Sequence, residues 1–91
     1  MLAALRRADA ERGSDLERTL RTYYERGASV SATANALFLH RNSVRYRLDR
    51  VRASLGCDID EPAVAASLIL AFAVDDAATS KGNRDAAQRA Q

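Results

Sequence analysis

An all-α fold is what this sequence predicts, and three observations carry the prediction. Ala makes up about a fifth of the chain, while helix breakers and turn formers are scarce, with four Gly and a single Pro. Apolar residues recur at helical spacing and not in strict alternation. The 91 residues suit one domain and leave no room for a large cleft between two lobes. With 47% apolar and 29% charged residues the chain has the makings of a core and does not fit wholesale disorder. One Cys and one His allow neither an internal disulfide nor a metal cluster, so no cofactor is expected. No charged-then-apolar leader is present, and the cytoplasm is the expected compartment.

The elements follow in order. Residues 1–13 carry Leu2 and Leu5 ahead of a polar stretch, a lead-in segment or short helix. Ser14 and Glu17 stand three apart, the spacing of a reciprocal capping box, and predict a helix from Asp15 to about Arg26. Leu16, Leu20, Tyr23 and Tyr24 form its apolar stripe, and Gly27 supplies a left-handed stop. A short helix follows from about Ser31, its expected cap, to Leu37, with Ala34 and Leu37 facing inward. Phe38, Leu39 and His40 separate it from a longer helix, Arg41 to Leu55, whose buried side is Val44, Leu48, Val51 and Leu55 and whose stop is Gly56. Asp60, Glu61 and Pro62 open a last helix, because Pro fits a first turn and acids suit the dipole there. From Ala63 to Val74 only Ser67 is polar; the run falls short of the ~20 residues that span a bilayer and predicts a helix buried on more than one side. Residues 75–91 hold no sizeable apolar side chain and are expected to be a frayed or disordered tail.

The net charge of +2 conceals an uneven distribution. Residues 41–52 hold five Arg against one Asp, and residues 53–80 hold five acids and no base. So concentrated a basic block implies an anionic partner, with nucleic acid the leading candidate.

A short helix, a three-residue turn and a second helix with a basic outer face make a helix-turn-helix, in which the second helix enters the major groove of double-stranded DNA. On a helical wheel with Val44 inward, Asn42, Tyr46, Asp49 and Ala53 point outward. Arg41, Arg45 and Arg52 lie on one flank, and Ser43, Arg47 and Arg50 on the other. Asp49 facing DNA is costly unless it accepts from cytosine or pairs with Arg45 or Arg52, which restricts base contacts to the first two turns.

From Thr19 through Phe72 the segment, with its core SATANALFLHRNSVRYRL and the Asp58 to Pro62 stretch before an apolar helix, resembles the C-terminal DNA-binding domain of PucR-type regulators, the purine-catabolism and sugar-diacid regulators of bacteria. The likeness covers about residues 2 to 74. The helix pair is also similar to that of the Fis nucleoid protein, which has Gly where this chain has Phe38, so Phe38 favours the regulators. The resemblance implies a helix-turn-helix domain of four to five helices over residues 14–74, behind an upstream effector-sensing region that is missing here. It places His40, Arg41, Asn42, Ser43, Arg45 and Tyr46 at the start of the recognition helix as base-edge candidates. Phosphate candidates are Ser31 and Thr33 at the start of the preceding helix, with Arg47 and Arg50 on the recognition helix.

Several polar residues also have plain structural roles open to them. Ser29 and Ser31 serve as caps, His40 caps a helix or packs in the turn, and Cys57 is a small buried side chain. His40 and Ser43 lack the orienting group and pocket of a nucleophile and its base, so an enzyme is not expected. The apolar helix from Ala63 to Val74 has more surface than three short helices cover, and a homodimer through it is expected. The competing functions are a helical protein-interaction module and a weakly specific nucleoid binder.

Overall fold

The structure, a computed structural model, describes residues 2–12 and 15–90, with side chains to residue 79. It is all-helical over these residues: α1 (Leu2–Arg12), α2 (Leu16–Glu25), α3 (Val30–Leu37), α4 (Arg41–Leu55) and α5 (Pro62–Ala90). The central helix is α2, which packs against each of the other four. Every helix feeds the one core: Leu5 from α1, Leu16, Leu20 and Tyr23 from α2, Ala34 from α3, Val44, Leu48 and Val51 from α4, and Leu68 and Phe72 from α5. Ile59, in the turn between α4 and α5, is completely buried among them.

Several local predictions are met and others are replaced. Three of the four residues of the predicted α4 stripe, Val44, Leu48 and Val51, are buried and Leu55 is partly so, and Gly56 ends the helix in the left-handed region at φ 67°. The lead-in is a helix, and its Leu5 is fully buried. At the start of α2 the Ser14 half of the expected capping box lies outside the described residues. The first N–H groups of the helix donate instead to a carboxylate from α1, with Leu16 N–H to Asp9 Oδ1 at 2.7 Å and Glu17 N–H to Asp9 Oδ2 at 3.1 Å. The cap of α3 is Ser29, not Ser31: its Oγ accepts from the Ala32 N–H at 3.1 Å. Leu37, predicted to face inward, is only half-buried and stays outside the core cluster.

The helix-turn-helix corner closes in an uncommon way. Phe38 adopts the left-handed conformation (φ 56°, ψ 42°), and the Leu39 N–H returns to the Ala34 carbonyl at 2.9 Å. That conformation costs a non-glycine residue roughly 1 kcal/mol. It turns the phenyl ring outward, where it is 94% exposed.

The largest departure from the sequence prediction is α5. It does not stop near Val74 but continues as one helix to Ala90. The continuation is rich in Ala and free of Pro, and its Gly82 costs only ~1 kcal/mol. Asp75 and Asp76, assigned by sequence to the tail, tie α5 to the body. Arg6 reaches Asp75 at 2.8 Å and Glu17 at 2.7 Å, and Arg21 reaches Asp76 at 2.8 Å and Glu17 at 3.0 Å. The Arg21 guanidinium also stacks 4.4 Å above the Phe72 ring. Hydrogen bonds from Arg6 hold the carboxyls of Glu17 and Asp75 below their ordinary range. Nor is α5 buried on more than one side. Val64, Leu68 and Phe72 face inward, whereas Leu70 and Val74 remain 64% and 60% exposed. Taken whole, the helix contains an 18-residue window, Pro62–Thr79, long and apolar enough to cross a membrane by length and composition, of which the inward stripe is committed to the core.

Candidate nucleic-acid interface

The solvent face of α4 is positioned by what lies behind it. Val44, Leu48 and Val51 are at most 1% exposed, so the helix cannot roll without emptying the core. Its C-terminal end is pinned by a second polar cluster. Arg52 Nη2 donates to Asp60 Oδ2 at 3.0 Å, the Tyr23 hydroxyl donates to Asp60 Oδ1 at 2.7 Å, and the Tyr24 hydroxyl donates to the Ile59 carbonyl at 2.8 Å. Burial first, and the neighbouring Asp60 second, push both tyrosines up to about 12.

With the helix so fixed, His40, Arg41, Asn42, Ser43, Arg45 and Tyr46 are all exposed at its N-terminal end. His40 is also the cap of α4: its Nδ1 accepts from the Asn42 N–H at 3.1 Å, which leaves the ring proton on Nε2, free to donate outward. Arg45 Nη1 donates to Asn42 Oδ1 at 3.3 Å, so two of the base-edge candidates are paired. Asp49, the carboxylate that threatened this face, lies along the helix against Arg52 at 3.0 Å. Burial works most strongly on the Arg52 charge and against it, but the hydrogen bond to Asp60 together with the charges of Asp60 and Asp49 outweighs it and raises its pKa.

The phosphate candidates divide. Ser31 is exposed and lines a cleft of about 380 Å³ with Asn35, His40 and Arg41, between α3 and the start of α4. Arg47 and Arg50 line a larger cleft of about 640 Å³ on the opposite flank of α4, together with Asn42, Ser43 and Tyr46. Thr33 must be removed from the group. It is completely buried, and its Oγ1 donates to the Ser29 carbonyl at 2.7 Å, which satisfies the hydroxyl and leaves no surface for a phosphate.

One residue on this surface escaped the sequence prediction. Arg12, the last residue of α1, lines the larger cleft beside Arg47 and Arg50. Its local signal is only a basic side chain at a helix C-terminus. That it stands across from α4 depends on the crossing of α1 over α4, which no local pattern encodes.

Comparison with known proteins agrees with this fold. The family model described as the PucR C-terminal helix-turn-helix domain matches residues 16–74. An uncharacterised protein of Mycobacterium tuberculosis is 40% identical over 65 residues, 71% of this chain and 16% of the relative. The carbohydrate diacid regulator of Escherichia coli is 41% identical over 44 residues, 48% of this chain and 11% of the relative. The purine catabolism regulatory protein of Bacillus subtilis is 39% identical over 54 residues, 59% of this chain and 10% of the relative. The chain spans 16% of the length of each of the first relatives it matches. No solved structure matches it.

Proposed function

The chain belongs to the PucR C-terminal helix-turn-helix family, and on that premise we propose that it binds double-stranded DNA in a sequence-specific way and thereby regulates transcription in a bacterial cytoplasm. The observation that carries this is the exposure of six hydrogen-bonding side chains at the N-terminal end of one helix whose opposite face is locked in the core. With α4 in the major groove, His40, Arg41, Asn42, Ser43, Arg45 and Tyr46 meet base edges, while Ser31, Arg47 and Arg50 meet phosphates and set the register. The regulators that share the domain are several times longer than this chain. It therefore serves as the DNA-reading end of a longer regulator whose effector site lies outside these residues. A gel-shift titration of preferred and scrambled duplexes at several salt concentrations tests the function. Tight, salt-dependent binding with a clear preference is expected. Equal binding to both duplexes makes the domain a weakly specific nucleoid binder, and no binding at low salt makes it a protein-interaction module.

A separate observation supports a dimer. Ala63, Ala66, Leu70, Ala73 and Ala77 are all exposed on α5 and alternate at spacings of three and four, the pattern of a coiled-coil seam. A two-fold dimer through this face presents two copies of α4 to half-sites one helical turn, ~34 Å, apart. The double variant Leu70→Glu, Val74→Glu leaves Leu68 and Phe72 untouched. In sedimentation equilibrium it is expected to be a folded monomer where the wild type is a dimer, and to bind a paired half-site more weakly. A wild type that stays monomeric at the concentrations where it binds DNA overturns the dimer.

A further inference from the structure

The two flanks of α4 differ in a way that singles out α1. On the flank of Arg41, Arg45 and Arg52, the Arg52 charge is committed to Asp49 and Asp60. On the other flank, Arg47 and Arg50 enter no ion pair among the described residues, and Arg12 joins them from across the cleft, likewise without an acidic partner there. No carboxylate lines this cleft among the described residues; its remaining walls are Leu16, Asn42, Ser43 and Tyr46. Three like charges lining one open cleft with no carboxylate among them favour an anion there. The anion cannot be held by the nearby start of α2, because the N–H groups of Leu16 and Glu17 are already taken by Asp9. The donors available are the guanidinium groups themselves, whose planar forks suit phosphate oxygens. The cleft also adjoins Asn42 and Tyr46, which lie at the outward edge of α4, so a strand whose bases meet those residues carries its backbone along this side.

We infer that α1 is part of the DNA-binding surface: Arg12, Arg47 and Arg50 clamp the phosphodiester backbone of one strand in the cleft between α1 and α4. This rests on the DNA-binding proposal above and extends the interface to a residue before the matched domain, which begins at residue 16. The clamp concentrates the arginine–phosphate contacts on the flank of α4 where α1 stands.

The test is the salt dependence of binding by the full chain carrying Arg12→Ala, measured on a preferred and a scrambled duplex. Each phosphate contact contributes nearly one unit to the slope of log affinity against log salt. Arg12→Ala is expected to lower that slope by about one and to weaken both duplexes by a similar factor, about five-fold, at low salt. Arg26→Ala is the charge control, since Arg26 caps the far end of α2 from Leu16, about 15 Å along the helix axis. It is expected to leave the slope unchanged. If Arg12 serves only the helix dipole of α1, Arg12→Ala lowers the thermal midpoint while the slope stays, and the clamp is overturned. Equal slope changes in the two variants show a general charge effect and overturn it as well. A wild type that binds no duplex at low salt overturns the DNA-binding proposal and the clamp together, whereas normal wild-type binding with an unaltered Arg12→Ala slope overturns the clamp alone.

Discussion

Leu48→Ala is expected to destabilise the domain by about 3 kcal/mol, the usual range for emptying a packed leucine site in a core. In a domain of this size that lowers the thermal midpoint by roughly 12 to 24 °C. Leu48 is 1% exposed, at the middle of the stripe that fastens α4 to α2. Two residues earlier, Tyr46 is 63% exposed, and Tyr46→Ala is expected to change stability by no more than about 0.5 kcal/mol. The pair reads the orientation of the recognition helix directly. Leu48→Ala should bind DNA normally at temperatures where it remains folded, while Tyr46→Ala should stay folded and bind less well. Urea unfolding of both variants decides it: comparable losses of stability mean that α4 is turned differently and that the proposed face is wrong.

That orientation was legible in the sequence because it depends on local periodicity. Val44, Leu48 and Val51 repeat with the period of the helix, and a wheel drawn from them puts Tyr46 and Asn42 outside without any knowledge of the neighbours. Gly56 and the Asp60 to Pro62 stretch likewise act within a few residues of where they stand. What could not be read depends on contacts between distant segments. The Ser14 and Glu17 spacing satisfies a local rule, yet Glu17 is drawn instead into pairs with Arg6 and Arg21, and the cap comes from Asp9 on another helix. Asp75 belongs to the folded body because Arg6 and Arg21, 69 and 54 residues away in sequence, reach it. Thr33 has the composition of a phosphate ligand at a helix start, but the register of α3, set by the Ser29 cap, turns it into the core. Ile59 has no periodic partner in its turn, and its burial follows from where α4 and α5 cross α2.

The site residues divide along the same line. Those on α4 could be found because one helix carries them all. Arg12 could not, since its role comes from the packing of α1 on α4. A different tertiary contact, with the turn between α4 and α5, makes the basic block of residues 41–52 less uniform than its charge suggests. Arg52 is spent on holding the fold through Asp60, and Arg41, Arg45, Arg47 and Arg50 are left for a ligand.

Among those four, Arg45 carries the largest expected effect on selectivity. It lies one turn into α4, exposed, with its guanidinium held against the Asn42 amide at 3.3 Å. An arginine paired in this way loses less rotamer freedom on docking, and its fork matches O6 and N7 of guanine in the major groove. Arg45→Ala is therefore expected to cost about 1 to 3 kcal/mol on the preferred duplex, a loss of roughly five- to more than a hundred-fold in affinity, and to relax the preference at a single base pair. Arg45→Lys keeps the charge but not the fork, and should recover the salt dependence without recovering the base preference. Binding curves on duplexes substituted one pair at a time separate the two roles. A loss confined to one position makes Arg45 a reader of that base; an equal loss on every duplex, restored by Lys, makes it a phosphate contact and moves base recognition to Asn42 and Tyr46.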